Sequence, residues 1–316
     1  MEKKQKYSLL PEIIPGAKPK VLLVGNGLNL SFPGCKKTDK IIQDEWETAY
    51  GRKIPDRNDP AHPHSIWKLP FPMEAVVASK DHVQDCMTKI AEDLKNIPVE
   101  DKQKNMITAM LDLNFDAILT TNYSLEIEKS SIPNYSERRV QLQYRNTTEP
   151  FAAQKRLGIF QYTEIPYGNN PSLWHIHGTV MRKDSMIMGP LYYGKLLSEV
   201  IDRAHNVKKV CMAAKRKGFT YRPLSWIDYF LIGDVYITSF SLDYSETDIW
   251  WLLSYKRLAF PETKVFFYEP RITPDKQLLL NCYDVEMPGV FFDDAEGDDK
   301  YINYTYNVFD DIKKRI

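Results

Sequence analysis

The chain has 316 residues, 43% hydrophobic and 27% charged, the usage of an ordinary globular protein long enough to bury a core. Lysine plus arginine and aspartate plus glutamate number 42 each, so the net charge is zero and a broadly basic nucleic-acid surface is excluded. Four dispersed cysteines supply no zinc ribbon or disulfide framework, and no apolar run approaches the ~18 residues of a membrane span or a signal-peptide core, so the expectation is a soluble, cytoplasmic protein with no membrane partner.

In chain order, residues 1–19 are a lead-in. Lys20–Val24 is a short apolar run stopped by Gly25-Asn26-Gly27, the pattern of a buried parallel strand. Residues 39–50 have helical spacing. Residues 51–72, with His62 and His64 among several prolines, read as a surface loop. Two helical patterns follow over 73–113, broken near Pro98. Ala117–Leu119 is a second strand, Thr120–Tyr123 a polar turn, and Leu125 opens a helix. Residues 131–171 are irregular, with strand-like pieces at 138–144 and 157–163. Ser172–Gly178 is a third strand and turn, and 189–217 a helical segment that becomes basic. Asp234–Phe240 is a fourth strand, followed by a polar turn and an amphipathic helix, and Lys264–Tyr268 is a fifth. Strands alternating with helices predict an α/β fold: a Rossmann-like open parallel sheet flanked by helices, with an inserted smaller helical module. The boundaries expected are a core over 20–270, helical inserts at about 34–113 and 189–217, and a C-terminal extension over 271–316 packed on or near that core.

Such sheets bind ligands outside the carboxyl ends of their strands, and four polar turns, GNG, TTNYS, HIHG and SLDYSETD, fall on that edge. The glycines let a backbone approach an anionic group closely, or simply form a sharp corner. Asn122 can hold a ribose hydroxyl or a water, or with Ser124 cap a helix. His175 and His177 alternate on a strand and so share a face. They could ligate a metal, but no carboxylate or cysteine follows at a convincing spacing. Alternatively His177, before Gly178 at the strand end, is a general base near its ordinary pKa of about 6.5, or both are core residues. Asp243, Glu246 and Asp248 suit a helix N-terminus electrostatically, while Ser239 or Ser241 with Asp248 could contact a ribose.

Taken in order, these motifs resemble the bacterial sirtuin-like family, and in particular its NAD-hydrolysing branch in anti-phage defence. The match lies in motifs over roughly residues 20–270: a glycine turn after a strand, TTNY before an acidic helix, HG at a strand end, and a serine turn with a following aspartate. The resemblance implies hydrolysis of NAD to ADP-ribose and nicotinamide, with NAD as substrate and no metal, as a regulated effector of abortive infection. It implies His177 as catalytic base and Asn122 as the group that orients the nicotinamide ribose or the attacking water. Gly25 and Gly27 would approach the pyrophosphate and Ser241 the adenosine side. Asn26, Asn29, Thr120, Thr121, Tyr123, Gly178, Ser239 and Asp248 complete the implied cofactor-binding set. Control by a homo-oligomer or a separate sensor protein is expected, with the tyrosine-rich C-terminal segment and 189–217 as candidate surfaces. The alternatives are a protein deacylase or ADP-ribosyltransferase using NAD, or a non-catalytic nucleotide-binding module. Three departures stand out: the zinc-binding cysteine pairs of deacylating members are absent, Ser124 replaces the usual aspartate, and Asn26 replaces the usual alanine.

Overall fold

The computed structural model describes residues 18–32, 41–42, 44, 46–48, 51, 69–80, 82–133, 135, 143–144, 157–294 and 299–316. The lead-in up to residue 17, Cys35, the loop histidines His62 and His64, parts of the 39–50 pattern and the piece at 138–142 lie outside the described residues. The elements run β1 (Lys20–Val24), α1 (Gly27–Leu30), α2 (Phe71–Ala78), α3 (Val83–Lys95), α4 (Asp101–Leu111), β2 (Ala117–Thr120) and α5 (Glu126–Ser131). Then come β3 (Gln143–Tyr144), α6 (Leu157–Phe160), β4 (Gln161–Glu164), β5 (Ser172–His175), α7 (Pro190–Lys217), α8 (Trp226–Ile232) and β6 (Asp234–Thr238). The chain closes with α9 (Thr247–Ala259), β7 (Val265–Tyr268), α10 (Pro274–Cys282) and α11 (Lys300–Arg315).

The seven strands form one α/β sheet in the order β3-β4-β5-β2-β1-β6-β7. β5, β2, β1, β6 and β7 are parallel, and β4 and β3 add antiparallel pairs at one edge. Counted among themselves, the parallel strands run 3-2-1-4-5, the order of a doubly wound dinucleotide-binding sheet, whose ligand crevice opens where successive strands depart to opposite sides of β1. The continuous apolar runs are explained by burial on both faces. Val21, Leu23, Ala117, Leu119, Val235 and Ile237 pack in one core with side chains of α7, α8, α9 and α10. Leu22, Val24, Ile118, Tyr236 and Phe266 pack in a second with α4 and α11. A third core joins α2, α3 and the 180–188 segment to Tyr123 and Leu125. The two candidate inserts therefore pack differently: α2 and α3 build this third core, whereas α4 and α7 cover the sheet itself.

Two local expectations are corrected. Residues 71–78, partly inside the proline-rich stretch, form a helix; Pro72 sits in its first turn, where no intrahelical donor is lost. Residues 157–160 are helical before β4 begins, because Ile159 and Phe160 are drawn into the core beside α8. The connection into β6 depends on a buried ammonium: Lys256 Nζ on α9 donates to the carbonyls of Phe230, Leu231 and Gly233 at 3.0, 3.0 and 2.6 Å. Burial pushes Lys256 down to about 7, yet three acceptors match the three protons of the charged form.

Candidate active site

The register sets the carboxyl ends of the parallel strands level. His175 pairs with Thr120, Thr120 with Val24, Val24 with Thr238 and Thr238 with Tyr268, a single row across the sheet. Asn122 and His177 each lie two residues beyond that row, in the turns that leave the adjacent strands β2 and β5, so His177 is not itself a strand residue. Both line a cavity of about 480 Å³ on this edge.

Asn122 is fixed from three directions. Its backbone N–H donates to Thr120 Oγ1 at 3.1 Å, its Nδ2 donates to the Gly25 carbonyl at 3.4 Å, and its own carbonyl accepts from His175 Nδ1 at 2.6 Å. Its Oδ1 is buried with no hydrogen-bond partner among the described residues. The capping alternative fails for Asn122, since Leu125 occupies the N-cap of α5 with no side-chain bond. His175 is a brace: its Nε2 donates to Glu128 Oε1 at 2.9 Å, so two acceptors face its two ring nitrogens. Burial works against the charged ring, but Glu128 and the Asn122 carbonyl outweigh it and raise the His175 pKa.

His177 has different surroundings, and the two histidines do not act as a pair. Its Nε2 donates to Asp248 Oδ2 at 3.1 Å, lies 3.7 Å from Glu246 Oε2, and its ring packs edge-on to Tyr193 at 5.4 Å. Nδ1 has no partner among the described residues. Burial disfavours the imidazolium, but the charges on Asp248 and Glu246, with the Asp248 hydrogen bond, push His177 up to about 9. The expectation of a near-ordinary pKa is thereby corrected: in the unliganded protein at neutral pH His177 carries a proton. Glu246, pushed up mainly by burial and held back by His177, reaches about 7.

Of the sequence-predicted residues, Asn26, Gly27, Thr121, Asn122, Tyr123, His177, Ser239 and Ser241 line the cavity. Gly25, Asn29, Thr120, Gly178 and Asp248 are not among its lining residues. Asp248 is fully buried against His177. Asn29 accepts from Gln103 Nε2 at 2.9 Å. Gly178 has φ +89°, and a Cβ there would collide with the Ser185 carbonyl oxygen. Tyr123 donates its hydroxyl to the Ile187 carbonyl at 2.7 Å. The glycine turn is a close approach of backbone to backbone: Gly27 N–H donates to the Ser239 carbonyl at 2.8 Å, and a Cβ on Gly25 or Gly27 would meet that oxygen at 2.7 Å. Ser239 itself holds a left-handed φ of +53° to make the approach.

Several further wall residues lie outside the four polar turns. Tyr193 comes from α7, Glu269 follows β7, and Tyr301, Tyr304 and Thr305 come from α11. Their partners in the cavity lie far away along the chain, and no local motif marks them. The described lining carries Glu74, Glu126, Asp243, Glu246 and Glu269 but no lysine or arginine. Burial raises the pKa of Glu126 and of Glu269. Just outside, Lys276 Nζ donates to the Ser241 carbonyl at 2.5 Å. The carboxyls of this wall favour positive charge in their ionised form, which burial opposes at Glu126, Glu246 and Glu269. No family model matches the chain, and no curated protein matches it.

Proposed function

We propose that the chain hydrolyses NAD to ADP-ribose and nicotinamide, the activity implied by its resemblance to the sirtuin-like family. The observation that carries this reading is the meeting of Asn122 and His177 at equivalent positions on adjacent strand ends, in one cavity at the crevice of a 3-2-1-4-5 sheet. Cleaving the nicotinamide–ribose bond removes a cationic leaving group as a neutral base and builds positive charge on the sugar. An acidic wall supports both the bound pyridinium and that developing charge. Asn122, locked through its backbone and Nδ2, presents its unpartnered Oδ1 to a hydroxyl or a water. His177, with Nε2–H on Asp248, keeps Nδ1 for the proton of the attacking water once the ring is neutral. Among the described lining residues, the pyrophosphate finds hydroxyls and amides, those of Ser31, Ser239, Ser241 and Asn26, rather than cationic side chains.

The test mixes purified protein with NAD and follows nicotinamide and ADP-ribose by chromatography. Turnover is expected to fall about 10²–10³-fold in Asn122→Ala and about 10²–10⁴-fold in His177→Ala. Release unchanged in both folded variants, or no release by the parent protein, would overturn the reading. The effector role in defence rests on the resemblance alone.

A further inference from the structure

The His177 cluster also meets the demands of a cation. His177 Nε2 faces two carboxylate oxygens, Asp248 Oδ2 at 3.1 Å and Glu246 Oε2 at 3.7 Å, and one ligating atom from each residue lies within 4.8 Å of the others. Four-coordinate zinc, with ligands at about 2.0–2.1 Å, separates them by roughly 3.3 Å, so two edges of the triangle already approximate a coordination shell. An imidazole nitrogen with two carboxylates is the donor set of zinc-class divalent cations, harder than thiolate sites and softer than the all-oxygen sites of magnesium or calcium.

Two unpartnered buried oxygens, one in the cluster and one outside it, point to a ligand. Asp248 is fully buried and its second oxygen, Oδ1, has no hydrogen-bond partner among the described residues. Asn122 Oδ1, on the wall of the same cavity, is likewise buried and unpartnered. Leaving such oxygens unsatisfied is destabilising, and a cation at the cluster would offset this at Asp248 by taking both carboxylate oxygens. Access exists, because His177 and Glu246 both line the cavity while Asp248 anchors the site from behind. Glu246, at the N-cap of α9 with its side chain 14% exposed, is the ligand free to adjust.

We propose that His177, Glu246 and Asp248 bind one divalent cation of the zinc class, and that its binding blocks the chemistry of the cavity. The block rests on the NAD-hydrolase reading; the binding does not. The experiment titrates the full chain with Co2+ and reads the visible absorption of the tetrahedral ion, then repeats the titration with Zn2+ in a calorimeter. One equivalent is expected, with affinity at least about tenfold weaker in Asp248→Asn and His177→Gln. Glu246→Gln, at the more exposed corner, supplies the same comparison if the buried variants fail to fold. No binding by the parent chain, or equal binding by the folded variants, overturns the proposal. Nicotinamide release measured with and without one equivalent of Zn2+ tests the block: cation binding without any turnover removes the hydrolase reading alone, and turnover unaffected by bound Zn2+ removes the block alone.

Discussion

His177 shows how little a residue's identity says about its state. The sequence singles it out as a strand-end histidine before glycine, but its charge is governed by Asp248, 71 residues further on, and by Glu246. Because these carboxylates raise its pKa to about 9, the neutral ring is about 1% of the protein at pH 7 and grows about tenfold per pH unit until the inflection. If His177 is the base, turnover of NAD climbs with pH on that slope and levels above about 9. Asp248→Asn removes the larger raising charge and moves the inflection to lower pH. An inflection near 7 in the parent protein would instead assign the proton to Glu246, whose pKa lies there. A flat profile between pH 6 and 10 would take both residues out of proton transfer.

Elements depend on contacts of the same kind. The glycine turn after β1 is legible as a turn, but the need for two glycines comes from the Ser239 carbonyl, which packs on both. TTNYS is legible as polar, but Asn122 is tied back to β1 and β5 rather than capping α5. The clearest energetic case is Lys256, an amphipathic-helix lysine that is 1% exposed and holds three carbonyls around the end of α8. Lys256→Met removes this donor from all three carbonyls and leaves Leu231 only the long bond from Thr263 Oγ1 at 3.4 Å, at about 1–3 kcal/mol for each acceptor left unsatisfied before water enters. Urea denaturation is expected to show a loss of roughly 3–5 kcal/mol. A loss below 1 kcal/mol would mean that the carbonyls find other donors.

At the scale of the molecule, α11 has a double role. Tyr304, Val308, Phe309 and Ile312 form a helical stripe that is buried against one face of the sheet, while Tyr301, Tyr304 and Thr305 reach the cavity wall. The tyrosine-rich C-terminal segment thus packs one face of this helix into the core, while Tyr301 stays exposed. Four buried side chains of this size stabilise the fold by roughly 6–12 kcal/mol before ordering entropy, comparable to the whole stability of a domain. A chain ending at residue 299 is expected to lose its cooperative melt and to bind a hydrophobic dye; a sharp melt near that of the full chain would show the helix to be dispensable. Among the described residues, no helix is long and apolar enough to cross a membrane.

Legible in the residues alone are the alternation of strands and helices, the burial of β1, β2, β5, β6 and β7, and which four turns carry polar groups. Those signals are local: an apolar run of four or five residues and the glycine or polar residue that ends it suffice to mark a strand and its exit. Tertiary structure decided the rest. The strand order and level register brought Asn122 beside His177. The start of α9 delivered Asp248 and Glu246 to the imidazole, and α7 and α11 supplied walls that no motif announces. The strand-like pieces at 138–144 and 157–163 were legible, but their antiparallel pairing at the sheet edge and the helical turn at 157–160 were settled by packing, which outweighs local preference wherever a short segment can bury its side chains. Charge state belongs to this second class, because a pKa is set by the groups within a few ångströms in space, and here those groups come from distant parts of the chain.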